Sequence, residues 1–385
     1  MHRDDGRTFY VGTSMSFGTS GCRFLHNFRH VDAPCSTLSA KYALFEDKLT
    51  LSLRTATALG LLPEDFEIAR EQFILSELSD FSQLASTFLP SSASTVSHSV
   101  SDNIHTISSA ALSLRFDASN GNLLSLASDG RILLQSGPEP SFWRAPTDND
   151  WGNGAHIRCN QWRCASQNRT LKSFDVSETD GGVQVRVVWH LGDVESDYVN
   201  VYTVMPSGAV RVSASWTGHS GLSELLRFGQ RMVLPSAFGN VSWYGRGPWE
   251  NYSDRNTASF LGLWSMDVRD MFFPYVRPQE SGNRTDVRWA TLTDDSGFGL
   301  AVVADVKALN FTAVDIDMAT VDPGLSKAQR HIDDIHHDRT RIWLNVDLAQ
   351  RGLGGDDSWG RPPHEPYILD AQHYEYSYTL IPIQL

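Results

Sequence analysis

Aromatic and charged side chains crowd one stretch of the chain, from Trp243 to Arg284. It reads WYGRGPWENYSDRN, then an apolar-rich run, then DVRDMFFPYVRPQESGNR, so that turn-forming Gly and Pro residues alternate with Trp, Tyr, Arg and Glu. Loops ordinarily carry small polar residues, because their backbone groups stay in contact with water. A loop this aromatic either packs beneath other structure, as a plug at one end of a β-sandwich, or faces a ligand.

Paired carboxylates are the groups that hydrolysis of a glycosidic bond requires, one protonated and one ionised, about 5 to 9.5 Å apart. Asp356 and Asp357 follow two glycines, and this turn predicts that their side chains diverge. Asp148 and Asp150 bracket an asparagine soon after a proline, which is typical of a helix cap or a turn network. The sequence therefore indicates a structural role for both pairs.

The run HIDDIHHD, from His331 to Asp338, has His and Asp residues at spacings that can coordinate zinc. No matching second pair of ligands stands elsewhere in the sequence, so a solvated charge cluster is the favoured interpretation and no metal is predicted. Arginines stand beside acidic residues in the turn-rich motifs, and we expect them to form bidentate Arg–carboxylate pairs that hold the loops together. These arginines are Arg144, Arg246, Arg255, Arg277 and Arg284.

Composition narrows the class of protein. A net charge of -13 would repel the phosphates of nucleic acid, which excludes nucleic acid as a partner. The sequence has no apolar run of about 18 residues and no hydrophobic segment after Met1, so neither a membrane span nor a signal peptide is expected. The 4 cysteines are too sparse for a disulfide framework and indicate free thiols. We therefore expect a cytoplasmic protein with no membrane partner.

Alternation of apolar and polar residues becomes regular from Leu112 onward. The period of two recurs in many later segments, and Asn120-Gly121 and Asp129-Gly130 are typical of hairpin turns. One short helix is predicted, at 155–165. The region 109–385 is thus predicted to be a large, mostly antiparallel all-β domain.

The first hundred residues are less regular. Residues 1–40 show no hydrophobic period and form an unassigned lead. The pattern at 42–53 predicts two short strands, whereas the apolar residues of 66–84 fit a helix period. The segment 91–108 begins with SSASTVSHSVS and is predicted to be a Ser-rich linker between two domains.

Several motif runs together resemble one family. YGRGPWENYSDR, PYVRPQESGNR, FWRAPTDND (142–150) and GLGGDDSWG (352–360) resemble the carboxy-terminal β-sandwich of the glycoside hydrolase family two β-galactosidases, which is also the small chain of its two-chain members. The runs occur in the family's order, from about Leu112 to the end, with a weak extension back to about Leu49. The resemblance implies a galactose mutarotase-like supersandwich at 109–385. It also implies a remnant of an immunoglobulin-like β domain at 41–90, whose last strand ends with the run at 69–73.

The resemblance also implies where the chemistry lies. The family's acid/base and nucleophile glutamates, with the metal ligands beside them, sit on a TIM barrel that precedes this region, and this chain has no eightfold β/α pattern. We therefore expect no catalytic residue and no cofactor here, with Mg²⁺ or Na⁺ confined to the missing barrel. In the family, the tryptophan that corresponds to Trp359 lines the sugar site. Asp357 and Ser358, in the same loop, are expected to bind substrate with it.

The implied function is that of a small chain or carboxy-terminal region of a β-galactosidase. It would complete the sugar site of a barrel-bearing large chain for hydrolysis of terminal β-D-galactosides such as lactose, in an enzyme that is an oligomer when complete. One alternative is a stand-alone carbohydrate-binding β-sandwich, for which 11 Trp and 11 Tyr supply stacking surfaces. Another is a structural oligomerisation piece or a truncated gene product, which the unmatched residues 1–40 keep open.

Overall fold

Strands make up nearly all of the regular structure, as the alternating sequence predicts. The computed structural model describes residues 9–16, 46, 48–58, 60–89, 94–110, 112–327, 330–357 and 359–385. The described residues form 22 strands and four α-helices of one turn or little more. None of these helices is long and apolar enough to cross a membrane. The all-β prediction is confirmed, and the chain divides into two compact units, Met1–Ser79 and Asp80–Leu385.

The first unit contains a three-stranded antiparallel sheet. Its strands are β1 (Phe9–Ser16), β2 (Lys48–Thr55) and β3 (Glu67–Ile74). The helix period of 66–84 predicts the wrong structure for the first half of this segment, which forms strand β3. Pairing of β3 with β2 along its length decides the conformation there. The strand that the family resemblance implies at 69–73 lies within β3. Of the two strands predicted at 42–53, the second is β2 and the first lies outside the described residues.

The linker prediction for 91–108 is wrong for residues 97–108. Residues 97–108 form a hairpin in a five-stranded sheet of the second unit. Its strands, in order across the sheet, are β4 (Ser97–Ser101), β5 (Ile104–Ser108), β6 (Leu112–Asp117), β7 (Asn122–Ser128) and β8 (Arg131–Leu134). Every residue of β4 is exposed. The serine-rich sequence therefore suits an edge strand, which needs no apolar face of its own.

Two further antiparallel sheets build the sandwich of the second unit. The larger has nine strands, which in order across the sheet are β10 (Arg169–Thr179), β11 (Gly182–Leu191), β12 (Ser196–Val204), β13 (Val210–Thr217), β22 (His373–Gln384), β19 (Phe298–Ala304), β18 (Trp289–Thr293), β15 (Asn240–Gly247) and β16 (Phe260–Asp267). The smaller has five strands, which in order are β17 (Arg284–Val287), β20 (Leu309–Val314), β21 (Arg341–Gln350), β14 (Arg227–Pro235) and β9 (Ser136–Ser141).

Phe228, on β14 of the smaller sheet, packs against aromatic residues of the larger one. Its ring centroid lies 5.0 Å from that of Tyr374, 5.8 Å from Tyr376 and 6.2 Å from Tyr198. All four side chains are buried, and removing one such side chain from water contributes about 1.5–3 kcal/mol. The faces of the two sheets thus meet in a common aromatic core, and the predicted antiparallel β-sandwich is confirmed.

The helices are short segments in the connections. They are α1 (Asp148–Gly152), α2 (Ala155–Arg158), α3 (Val268–Met271) and α4 (Met318–Val321), with 3₁₀ turns at Ser82–Thr87, Asn160–Trp162, Gly192–Val194, Ile332–Asp334 and Glu365–Tyr367. The helix predicted at 155–165 corresponds to α2 and the 3₁₀ turn that follows it. It is interrupted at Cys159, which caps both elements.

Four connecting segments meet beside the smaller sheet and carry the motif runs. They are residues 142–154 after β9, 248–259 after β15, 272–283 before β17 and 351–364 after β21. Backbone hydrogen bonds join them, from Glu280 N to Ala145 O at 3.3 Å and from Asn251 N to Asn283 O at 2.8 Å. Sequence motifs that are far apart in the chain are therefore neighbours in space.

Candidate functional site

A buried ion-pair centre joins two of the meeting segments. Arg144 donates to both carboxylate oxygens of Asp150, from Nε at 3.0 Å and from Nη2 at 2.9 Å. Arg351 Nη1 lies 3.3 Å from the same carboxylate, and all three side chains are fully buried. Asp150 also exchanges hydrogen bonds with Thr147 in a capping box at the start of α1. The cap predicted around Asp150 is confirmed.

Electrostatics keep Asp150 ionised. Burial on its own would raise the pKa of this carboxyl, because the protein interior stabilises a charge less than water does. The guanidiniums of Arg144 and Arg351 and the N–H of Thr147 outweigh burial, so the pKa of Asp150 lies below its ordinary value. A carboxylate held in this way cannot act as a general acid near neutral pH. Its role is to fix the two loops.

A second buried cluster surrounds Arg227. Its Nη2 donates to Glu280 Oε1 at 2.8 Å, and its Nε lies 3.0 Å from Asp347 Oδ2. The Nε–H does not point at that oxygen, so this contact is an ion pair without a hydrogen bond of good geometry. Burial, with Glu280 nearby, outweighs Arg227 and raises the pKa of Asp347 to about 7.

The loop after β21 presents Trp359 to solvent, with 90% of its surface exposed. Asp357 builds the turn: its Oδ1 accepts hydrogen bonds from Trp359 N at 2.9 Å and from Arg361 N at 3.2 Å. These two N–H groups hold the pKa of Asp357 below its ordinary value. The prediction that Trp359 is displayed and not buried in a core is confirmed. Ser358 lies outside the described residues.

An open, polar cleft borders this turn. Its lining residues are Asp148, Asn149, Trp151, Gly152, Lys327, Gly355 and Asp357. Asp148 is held in place by Arg277 and by Gln279, whose Nε2 donates to Oδ2 at 3.1 Å. The Trp151 ring packs 3.9 Å from the ring of His156. Fixed polar groups beside an aromatic ring are the features by which proteins orient small polar ligands.

The two carboxylate pairs singled out in the sequence diverge. Asp356 Oδ2 lies 2.6 Å from His364 Nε2, whereas Asp357 faces the amides of its own turn. Asp148 lines the open cleft, whereas Asp150 is fully buried. Neither pair converges on one space in the way that an acid and its partner carboxylate must.

The aromatic stretch divides between a plug and a surface. Trp243 and Tyr252 are buried, with 0% and 1% exposure, whereas Trp249 is 62% exposed. Tyr275 and Arg255 both donate to Glu250 Oε1, which fixes the loop that carries Trp249. The predicted plug therefore applies to Trp243 and Tyr252, whereas Trp249 lies at the surface.

Four of the five arginines expected to form bidentate pairs do pair with carboxylates, and Arg144 binds both oxygens of its partner as expected, whereas Arg246, Arg255 and Arg277 each donate to one oxygen. The pairs are Arg144–Asp150, Arg246–Asp286, Arg255–Glu250 and Arg277–Asp148. The prediction is wrong for Arg284, whose buried Nη1 donates to the carbonyl oxygens of Gly282 at 2.8 Å and Met271 at 3.2 Å. Backbone carbonyls, which the sequence pattern does not show, take the place of the expected acid. Burial lowers the pKa of Arg284 to about 10.

The His/Asp-rich run forms local contacts. His331 caps a 3₁₀ turn, with its Nδ1 accepting from Asp333 N at 3.2 Å and its own N donating to Asp334 at 3.0 Å. His337 Nδ1 lies 2.6 Å from Asp315 Oδ1. In the part of the chain that the structure describes, no three His, Cys, Asp or Glu side chains converge as metal ligands would.

Two residues that organise the site were not predicted. Arg351 completes the ion-pair centre around Asp150. Asp254 accepts hydrogen bonds from Leu353 N at 3.0 Å and from Gly354 N at 2.7 Å, at the base of the Trp359 loop. Asp254 stands in the motif run ENYSDR, but no spacing in the sequence indicates a contact across 99 residues.

Comparison with known families shows the family of the chain. The sequence profile of the family described as beta galactosidase small chain matches residues 108–380. The chain belongs to this family. The resemblance carried by the motif runs is thereby confirmed.

Whole β-galactosidases match the chain over one part of their length. The β-galactosidase of Priestia megaterium is 33% identical over 357 residues, which cover 90% of this chain and 33% of the relative. That of Lactobacillus delbrueckii subsp. bulgaricus is 33% identical over 312 residues, which cover 81% of this chain and 30% of the relative. The chain therefore spans about a third of the length of these curated relatives.

Among solved structures, a galactose 1-epimerase from Lactobacillus acidophilus is similar to 76% of this chain and 99% of its own, with 10% sequence identity and a TM-score of 0.37.

Proposed function

We propose that this chain completes the sugar site of a β-galactosidase that hydrolyses terminal β-D-galactosides such as lactose. The observation that carries the proposal is the exposed ring of Trp359, displayed on the Asp357 turn beside an open polar cleft. A flat aromatic ring packs on the apolar face of a pyranose, while fixed polar groups bind its hydroxyls. Asp357 and Ser358, which precede Trp359 in the sequence, are proposed to bind the sugar with it.

The catalytic glutamates are proposed to lie on a TIM barrel outside this chain. Hydrolysis needs two carboxyl groups with separated pKa values, and the motif carboxylates here are engaged otherwise. Asp150 is bound by two arginines, Asp356 by His364, and Glu250 by Tyr275 and Arg255. The matched relative is three times longer, which leaves room for a barrel of about 250 residues.

The proposed partner is a barrel-bearing large chain or the corresponding amino-terminal domains, in an enzyme that is an oligomer when complete. Mg²⁺ or Na⁺, where such an enzyme uses one, is proposed to bind on the barrel, as the family resemblance implies. The thiols of Cys159 and Cys164 are unbridged, which suits the cytoplasm.

Complementation tests the proposal. The chain is assayed on a nitrophenyl β-galactoside alone, and again after mixing with the part of the Priestia megaterium enzyme that lies outside the match, which we propose to be its amino-terminal two-thirds. We expect no turnover from either piece and turnover from the mixture. Hydrolysis by this chain alone that persists through repeated purification would contradict the proposal. So would a complex that forms, as judged by size-exclusion chromatography, but stays inactive.

A stand-alone carbohydrate-binding sandwich is the second candidate. The exposure of Trp359 (90%) and Trp249 (62%) favours it, because both rings are open to a ligand without any partner. Titration calorimetry of the isolated chain with lactose separates the two functions. Binding that is lost in Trp359→Ala supports the stand-alone module, whereas binding that requires the barrel supports the first proposal.

A further inference from the structure

The backbone at the base of the Trp359 loop is held from two sides. On one side, Arg144 donates to the carbonyl oxygens of Arg351 at 2.5 Å and Gly352 at 3.1 Å. On the other, the carboxylate of Asp254 accepts from the next two amides, Leu353 N and Gly354 N. The carbonyls of two consecutive residues thus face the Arg144 cation, and the amides of the next two residues face the Asp254 carboxylate. Both pairings match the partial charges of the peptide groups.

Asp254 can reach these amides only because residue 352 is a glycine. A Cβ at Gly352 would lie 2.6 Å from Asp254 Oδ2 and 2.7 Å from its Cγ. The carboxylate therefore occupies the space that any side chain at this position would need. Asp254 itself is carried on the aromatic segment 248–259, far from the Trp359 loop in sequence.

The loop beyond this base is narrow and tightly closed. Gly354 and Gly355 adopt φ angles of +74° and +114°, which other residues rarely adopt. A Cβ at Gly354 would lie 2.9 Å from the carbonyl oxygen of Arg361. The backbone that enters the loop at Gly354 is therefore in close contact with the backbone that leaves it at Arg361. The position of Trp359 therefore depends on where residues 353 and 354 are anchored.

We propose that Asp254 is the positioning residue for Trp359 and, through it, a determinant of galactoside affinity. This inference rests on the proposed function of the Trp359 loop. Asp254 acts through the amides of Leu353 and Gly354 and does not contact the sugar. Without its carboxylate, the N–H groups of Leu353 and Gly354 lose their acceptor, and the glycine turn loses the hydrogen bonds that fix its direction.

Two variants test the role of the carboxylate. Asp254→Ala removes both acceptor oxygens, whereas Asp254→Asn keeps one oxygen at the same distance from the backbone and serves as the conservative variant. Asp267→Ala is the matched control, because Asp267 also accepts a backbone amide, Arg269 N at 2.9 Å, in a turn outside the site.

The first measurement uses the isolated chain. Hydrogen–deuterium exchange of peptides that cover residues 350–360 should become faster in Asp254→Ala, less so in Asp254→Asn, and stay unchanged in Asp267→Ala. Unchanged exchange in the folded Asp254→Ala chain would overturn the proposed anchoring. If Asp254→Ala fails to fold, exchange of the same peptides in Asp254→Asn and in the wild type is compared instead, and unchanged exchange again overturns the proposed anchoring.

The second measurement uses the assembled enzyme and separates positioning from a merely structural role. We expect Asp254→Ala to raise KM about tenfold, which corresponds to about 1.4 kcal/mol, with little change in kcat. The double variant Asp254→Ala/Trp359→Ala should be no worse than Trp359→Ala alone, because both act through one contact. Additive effects would overturn the positioning role.

The outcomes also distinguish the two proposals. If Trp359→Ala leaves KM unchanged, the proposed function of the loop fails, whatever Asp254 does. If Trp359→Ala raises KM but Asp254→Ala does not, only the positioning role fails.

Discussion

Gly360 packs directly against Gly152. A Cβ at Gly360 would come within 2.2 Å of the Gly152 carbonyl oxygen, and a Cβ at Gly152 within 3.0 Å of the Gly360 Cα. The turn that displays Trp359 therefore rests on the end of α1, backbone against backbone. The connecting segments 142–154 and 351–364, which lie some two hundred residues apart in the sequence, are thus in direct contact.

This contact predicts the effect of Gly360→Ala. Gly360 adopts a φ of +102°, so alanine there is strained by about 1–3 kcal/mol before any clash is counted. Gly208→Ala is the matched control, because Gly208 has a φ of +81° with nothing within 4 Å of an added Cβ. We expect urea unfolding to show a larger loss of stability for Gly360→Ala than for Gly208→Ala. Equal losses of stability would show that the two loops move apart to accept the added Cβ without a further loss of stability.

Loss of the buried arginine of the ion-pair centre should strongly destabilise the fold. Arg144→Ala leaves Asp150 buried with Arg351 as its remaining cation, and breaking a buried pair of this kind costs about 3–5 kcal/mol. Arg269→Ala removes an ion pair with Asp267 in which the Arg269 side chain is 69% exposed, and it should change stability much less, because water screens exposed ion pairs. Chemical denaturation of the two variants measures the difference. Similar denaturation midpoints for the two variants would show that Arg144 does not stabilise the fold more than an exposed arginine does.

Asp347 should make stability depend on pH. The carboxyl titrates near 3.8 in an unfolded chain and at about 7 in the folded protein. Between these values the folded protein keeps a proton that the unfolded chain releases. The free energy of unfolding should therefore fall as pH rises from about 4 to about 7, by a few kcal/mol at most, and this contribution should be constant above that range.

Asp347→Asn isolates this contribution, because the amide does not titrate. The difference in unfolding free energy between wild type and Asp347→Asn should change from pH 5 to about pH 7 and level off above that. Asp267→Asn serves as the control: hydrogen bonds from Arg269 hold the pKa of Asp267 below its ordinary value, so this group stays ionised over the window. Its difference from wild type should be the same at every pH. A constant difference for Asp347→Asn as well would show that Asp347 is ionised in the fold throughout.

Residues whose environment is local could be predicted from the sequence. Burial alternates strictly along β6, as its apolar and polar residues do. Trp359 follows a polar, glycine-rich turn and is exposed, and Asp150 follows Thr147 by three residues and caps α1. In each case the neighbours in sequence are also the neighbours that decide the conformation.

Residues whose partners are distant in the chain could not be predicted. Asp254 anchors amides that lie 99 and 100 residues away, and its own motif contains no sign of them. Arg284 binds carbonyl oxygens that come together only when the loops fold. The polar sequence of β4 predicts a linker, because an edge strand derives its pairing from its neighbour and not from its own side chains.

Trp359 is the residue on which the proposed sugar site depends most directly. Stacking of an aromatic ring on a ligand contributes on the order of 1 kcal/mol to binding. Removal of the apolar surface of the ring from water contributes a further amount. We expect Trp359→Ala to weaken galactoside binding by the assembled enzyme about tenfold or more. The effect should fall mainly on KM, because the contact serves substrate and transition state alike.

The isolated chain should fold normally without this ring. The side chain is 90% exposed, and surface substitutions usually change stability by no more than about 0.5 kcal/mol. Trp249→Ala is the matched control, since Trp249 is also exposed, at 62%, on a different loop. It should leave both stability and KM unchanged if Trp359 is the ring that meets the sugar. An equal rise in KM for the two variants would point to a general loss of assembly. A normal KM for Trp359→Ala would show that the ring lies outside the substrate's reach.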